Sequence, residues 1–327
     1  METEFVFITA NDIHISDNNP RSRIDDFKAT MLNKLSQMSM ACNKLNADGA
    51  IIAGDIFNIK SPTKNSHRQN RELVKVFNSF KCPIFMIEGN HDLTGGRLDS
   101  LEEQPLGVLF EDKTLIQLRH EIIEKNGIKV SLVGIPYNDN IELTELDIPE
   151  KKDYVTQICA MHLYASLKGG YLFEDRIYGY DELAELSPDI FVLGHYHLDQ
   201  GVYKESDKYF INIGSLSRGT IADEDINHHP QIGFIKINVK DNIPTYSIRS
   251  IRLNIKPVEE VFNLEKKREI EKEKKEIEAF VDKLASETSA EDIKSSDTID
   301  NLIDKMNITK EIKDRVLNLI QEAAAKK

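Results

Sequence analysis

The chain has 327 residues, 40% of them hydrophobic and 30% charged, enough for a sizeable core and for one large domain with an appendage. That composition excludes wholesale disorder, and no apolar run approaches the ~18 residues of a membrane span. The net charge of −13 argues against a broad basic surface that grips nucleic acid, but not against a site where bound cations supply positive charge locally.

The acidity is uneven. Residues 263–327 carry a net of −2, so the first 262 carry −11. Met1-Glu2-Thr3-Glu4 runs straight into an apolar segment, which predicts no secretion signal. Cys42, Cys82 and Cys159 are odd in number and widely spaced, and read as buried, reduced thiols of a cytosolic protein.

In chain order, Phe5–Ile8 reads as a buried strand. Ile24, Phe27, Met31, Leu35, Met38, Cys42 and Leu45 then recur at spacings of three and four, one face of a long helix. Ala50–Ile52 is a second strand, residues 66–79 a polar helix, and Ile84–Ile87 a third strand. This alternation predicts a parallel sheet covered by helices. The next part is richer in strands, with candidates at 129–134, 154–161, 190–193, 209–213, 232–239 and 245–254. A second sheet with some antiparallel pairs, packed on the first, is expected. Beyond 262 the pattern changes. Residues 263–284 read as a charged helix with a narrow apolar seam, 285–297 as a linker, and 298–327 as two short amphipathic helices. That pair is too small to form a core alone and must dock on the body or on a partner.

Metal-ligand types cluster just past the strands: Asn11-Asp12-Ile13-His14, Gly54-Asp55, Gly89-Asn90-His91-Asp92, Met161-His162 and Gly194-His195-Tyr196-His197. Ligands of open α/β sheets bind at the carboxyl ends of strands, so five such blocks in one chain predict a single site. Residues i and i+2 share a face in extended chain, so Asp12 with His14, and His195 with His197, can address one centre. The glycines before Asp55, Asn90 and His195 are expected to turn the backbone sharply off each strand. Imidazoles, carboxylates and an amide oxygen suit Mn, Fe or Zn rather than calcium. Seven donors are too many for one ion and suit two ions sharing a carboxylate, a geometry used on phosphate esters.

In this order, D-x-H, G-D, G-N-H-D, a lone His and G-H-x-H resemble the calcineurin-like metallophosphoesterase superfamily over roughly residues 5–255. The resemblance implies an α/β fold of two stacked mixed β-sheets flanked by helices, here with a C-terminal helical extension. It implies one metal on Asp12, His14, Asp55 and His197, and another on Asp55, Asn90, His162 and His195. His91 would be the catalytic histidine, oriented by Asp92, and metal-activated water the nucleophile. The spacing of the first three blocks, the run Ile51–Phe57 and Asn212-Ile213-Gly214-Ser215 are similar to SbcD-type double-strand-break repair nucleases and their phage recombination counterparts. That branch implies a manganese-dependent DNA endo- and exonuclease, with Mg, Fe or Zn as alternative metals. It also implies a homodimer in the bacterial or phage-infected cytosol and a partner, an SbcC-like coiled-coil ABC-type ATPase held by the C-terminal helices.

Two departures stand out. Archaeal and eukaryotic members carry a second histidine where this chain has Asn58, and the DNA-capping domain after the core is reduced or absent. Asn58 and Arg218 are candidate phosphate or DNA contacts. His67, His120, His228 and His229 are expected at the surface. The rival functions are a small-molecule or cyclic-nucleotide phosphodiesterase or protein phosphatase acting alone, and a non-enzymatic scaffold.

Overall fold

The computed structural model describes residues 2–138, 141–172, 175–272 and 275. Its strands in chain order are β1 (Glu2–Ala10), β2 (Gly49–Ile52), β3 (Ile84–Met86), β4 (Ile116–Gln117), β5 (His120–Lys125), β6 (Ile128–Ile135) and β7 (Thr156–Leu163). They continue with β8 (Ala165–Ser166), β9 (Gly170–Leu172), β10 (Asp175–Gly179), β11 (Ile190–His195), β12 (Asp199–Glu205), β13 (Lys208–Ile213), β14 (Gln231–Lys240) and β15 (Ile243–Arg252). One six-stranded sheet has the order β15-β14-β1-β2-β3-β4, the other β12-β13-β11-β7-β6-β5. Both are mixed: β1 through β4 run parallel, as do β6, β7, β11 and β13, with antiparallel strands outside them. A small three-stranded sheet, β8-β10-β9, is the third among the described residues.

Alternation along the strands builds the layers, because successive side chains point to opposite faces. In β1, Phe5 and Phe7 enter the core that also holds Ile158, Ala160, Ile190 and Val192 of the second sheet, so this layer lies between the sheets. Val6, Ile8 and Ala10 enter the core beneath the helices. In β7 and β11 the alternate residues Cys159, Met161, Phe191 and Leu193 join a third core on the far face of the second sheet. Strands buried on both faces read as continuous apolar runs, which is why their sequences were legible.

Helix α1 (Phe27–Lys44) covers the first sheet with Phe27, Met31, Leu35, Met38 and Cys42, each apolar side chain stabilising by about 1.5–3 kcal/mol relative to exposure. It starts three residues later than the periodicity predicts. The Asp26 side chain accepts from the Ala29 amide at 2.9 Å and caps the first turn, leaving Ile24 outside the helix and exposed. Helix α2 (His67–Phe77) is capped in the same way by Ser66. The three cysteines are free thiols, but Cys42 and Cys82, distant in sequence, pack in the same cluster.

The chain divides into two units, Met1–Phe262 and Asn263–Lys327. In the second, residues 264–272 are helical, begun by Asn263, whose Oδ1 accepts from the Lys266 amide at 3.1 Å. The linker over 285–297 and the helices expected over 298–327 lie outside the described residues. Among the described residues no helix is long and apolar enough to cross a membrane.

Candidate metal centre

Five parallel strands, β1, β2 and β3 of one sheet and β7 and β11 of the other, deliver the site. The loops after β1 and β2 are laced together, with the Ile13 and His14 amides donating to Asp55 O at 2.8 and 2.9 Å. Asp12, His14, Asp55 and His197 offer ligand atoms that all lie within 4.8 Å of one another. Nε2 of His14 and Nε2 of His197 face each other at 3.0 Å. Nε2 of His14 and Nε2 of His162 each lie 3.5 Å from Asp55 Oδ2. On the His162 side, Asn90 Oδ1 is 3.3 Å from His162 Nε2 and 3.2 Å from His195 Nδ1. All seven residues therefore meet, in two groups joined through Asp55.

The residues around these donors set their state. Nδ1 of His162 donates to Ala53 O at 2.8 Å, which leaves Nε2 as the nitrogen facing Asp55. Asp12 accepts from the His195 amide at 3.1 Å and from Asn11 Nδ2 at 2.7 Å. Burial drives His14 and His195 down to about 3, so at neutral pH both rings are uncharged and could serve as metal donors. Burial opposes the charged form of Asp55, yet the surrounding imidazoles, His162 first, hold it below the usual carboxylate range. Burial also works against a charged His162, but Asp55 beside it raises it to about 9.

This donor set fits divalent cations. Two ring nitrogens 3.0 Å apart with lone pairs facing repel unless a proton or a cation lies between them. The backbone is strained to hold them. Asp12, His14, Asp55 and His195 have φ of 51°, 51°, 56° and 83°, a left-handed conformation that costs non-glycine residues about 1–3 kcal/mol each and collects at functional sites. No sequence signal marked it.

A model of the calcineurin-like phosphoesterase family matches residues 5–199. The chain belongs to that family. Among solved structures, a candidate 5′-nucleotidase from Staphylococcus aureus is 16% identical with a TM-score of 0.53, over 78% of this chain and 55% of that one. The phosphoesterase YfkN from Bacillus subtilis is 14% identical with a TM-score of 0.48, over 76% and 91%. A dimetal phosphatase from Danio rerio is 12% identical with a TM-score of 0.47, over 77% and 99%. This chain spans about half the length of the S. aureus protein, and the likeness to it shows the shared fold of two mixed sheets.

Several expectations change in the folded chain. Asp92 does not orient His91. It is buried, and its carboxylate accepts from the amides of Asp55 at 2.8 Å, Gly89 at 3.0 Å and Phe57 at 3.1 Å, so it braces the loop that presents Asp55. Burial, with the charge of Asp55, raises Asp92 to about 8. His91 is instead fixed by Asn58, whose backbone carbonyl accepts from His91 Nδ1 at 2.8 Å. The orientation of His91 expected of Asp92 thus falls to the Asn58 main chain. Arg218 is no surface contact. It is 2% exposed, its guanidinium lies 5.7 Å over the Phe262 ring and donates to Lys256 O at 3.3 Å. His67 and His120 are exposed, but His228 and His229 are half-buried and donate to the carbonyls of Ser215 and Leu253.

Of the three glycines, only Gly54 has a positive φ, of 89°. Gly194 serves close approach instead: a Cβ there would sit 2.0 Å from Ala53 O, the carbonyl that anchors His162. The Asn212–Ser215 block also gains a role. Ser215 Oγ donates to Asp12 O at 2.7 Å, the Ser215 amide to His197 O at 3.0 Å, and Gly214 O accepts from Asn11 Nδ2 at 3.1 Å. One loop thereby braces donors from two sheets.

Proposed function

We propose that this phosphoesterase is a two-metal DNA nuclease, the nuclease subunit of an SbcCD-like ATPase–nuclease complex. The observation that carries the reaction class is the buried Asp55 carboxylate, placed between His14 and His162 with both nitrogens 3.5 Å from one oxygen. Asp12, His14, Asp55 and His197 would hold one cation and Asp55, Asn90, His162 and His195 the other, with manganese the first candidate and Mg, Fe or Zn the alternatives. A bound pair supplies positive charge to phosphoryl oxygens and water of lowered pKa.

The chain's own groups do the rest. The His91 amide donates to Asp55 Oδ1 at 2.7 Å, which turns Oδ2 toward the two histidines. His91 Nδ1 donates to Asn58 O, so Nε2 is left for the substrate, and with both ring nitrogens protonated it can donate to a leaving oxygen or hold charge on the phosphate. Asp12, braced by five bonds from Asn11, His195, Ser215 and Ser217, needs no reorganisation during reaction.

The DNA-repair branch is supported by the resemblance of the first three blocks and of Asn212–Ser215, which here braces Asp12 and His197. An SbcC-like coiled-coil ATPase engaging residues 263–327, and a homodimer, belong to the same proposal. The three free thiols suit a cytosolic compartment. The test is cleavage of single- and double-stranded DNA with Mn²⁺ by wild type and His91→Ala. The variant should lose at least about 100-fold in rate with its metal content retained. Cleavage at the wild-type rate overturns the role of His91. The net charge of −13 and the burial of Arg218 favour a second reading, a small-molecule phosphoesterase. It predicts faster turnover of nucleotides than of DNA and no stimulation by a co-purified ATPase.

A further inference from the structure

Tyrosines crowd the His195 side of the centre. Tyr137 follows β6, and its amide donates to Glu88 O at 2.8 Å, tying it to the loop that carries Asn90. Its ring lies 5.5 Å from that of His195 and 6.1 Å from that of His162. Tyr164, the single residue between β7 and β8, stands 5.4 Å from the His195 ring at 79°. Tyr178 of β10 is held by its amide, which donates to Tyr164 O at 2.8 Å, and by its hydroxyl, which donates to Ile141 O at 2.6 Å. Between these rings opens a cavity of about 140 Å³ that reaches Asn90 and His195. That volume takes about ten water-sized atoms, the size of a nucleobase.

The charge of the wall narrows what fits. Arg176 lines the cavity, but its guanidinium lies 4.7 Å over the Tyr178 ring and donates to Glu142 at 3.1 Å and Glu182 at 2.9 Å. Two carboxylates thus balance its charge, which disfavours a phosphate there. Asp175 also lines the cavity and likewise disfavours a phosphate, so the tyrosine rings are the surface suited to a base next to the donors that would carry the scissile phosphate. On a chain of net charge −13, phosphate attraction is weak, whereas base–aromatic stacking does not depend on it.

We propose that this cavity takes the base flanking the scissile phosphate, stacked on Tyr164 and Tyr137, and that stacking selects nucleic acid as the substrate. The inference rests on the nuclease reading. Its test is the full-length protein with Mn²⁺ on a single-stranded oligonucleotide carrying one tetrahydrofuran abasic residue, with every cut mapped. One bond beside the abasic residue should be cut about tenfold more slowly than in the complete oligonucleotide. Tyr164→Phe should keep that discrimination and Tyr164→Ala should abolish it. A 2-aminopurine oligonucleotide bound in EDTA should be quenched by wild type and Tyr164→Phe but not by Tyr164→Ala, a readout that needs no turnover. Cleavage indifferent to the missing base overturns the stacking site alone. No cleavage of any DNA overturns the nuclease reading and this inference with it.

Discussion

Two clusters of buried charge lie in the same domain, and they are finished to different degrees. Beside α1, Arg23 forms a two-pronged pair with Asp25, at 2.8 Å on both arms. A third arm of Arg23 donates to Arg218 O and Lys34 donates to Leu216 O, both at 2.6 Å. Thr30 donates to Asp25 at 2.6 Å. Nearly every charge there ends on a protein partner. At the strand ends Asp12 and Asp92 are also hydrogen-bonded, but carboxylates and imidazoles converge, ring nitrogens face each other, and four of the converging residues adopt left-handed backbone. A cluster that completes itself is structural; one that crowds donors at the expense of backbone strain is built for something the chain does not supply.

Substitutions can break that contrast. Asp55→Asn should have the largest effect, since one oxygen serves both groups: metal content measured by mass spectrometry should fall from two ions per chain, with affinity reduced at least about 100-fold. Two ions retained would refute the shared carboxylate. Arg23→Ala should act on folding instead, costing about 3–5 kcal/mol in urea unfolding because a buried carboxylate loses its partner. A loss below 1 kcal/mol would show that the pair is not the structural half of the comparison.

Gly194→Ala should cost about 1–3 kcal/mol, because its Cβ would displace the Ala53 carbonyl. It should also weaken metal binding through His162, whereas an effect on stability alone would assign the glycine to packing.

The clusters should also part with pH. Burial opposes ionisation of Asp25, but Arg23 and Thr30 hold its carboxyl below its ordinary 3.8. Its stabilisation is therefore complete above pH 3.8 and lost as pH falls through the lower folded value; Asp25→Asn should flatten that acid limb. His162, raised to about 9, stabilises the metal-free fold below pH 6.5 and loses that contribution as pH rises through 9. A cation must displace the same proton, so metal affinity should climb with pH by up to about tenfold per unit until 9. Titration calorimetry in two buffers should detect the released proton, and a pH-independent affinity would contradict the assignment.

Much of this was legible in the chain. The long buried strands declared themselves as apolar runs, and the donors stood immediately after them. β5 and β12 were missed because they are edge strands with one solvated face, composed like loops. Asp92 departs from the role the resemblance implied, because its carboxylate turns to the amides of Asp55, Phe57 and Gly89. Arg218 was a candidate phosphate or DNA contact, but Phe262, far along the chain, closes over it.

By itself the sequence determined which side chains could act and on which strand ends they stand, since hydrophobic periodicity and donor chemistry are local properties. Only the tertiary structure decided which donors share Asp55, which acid braces the loop, which arginine is buried and which tyrosines wall the centre. Those outcomes depend on contacts such as that between Asp12 and His195, 183 residues apart, which exist only once the two sheets have stacked.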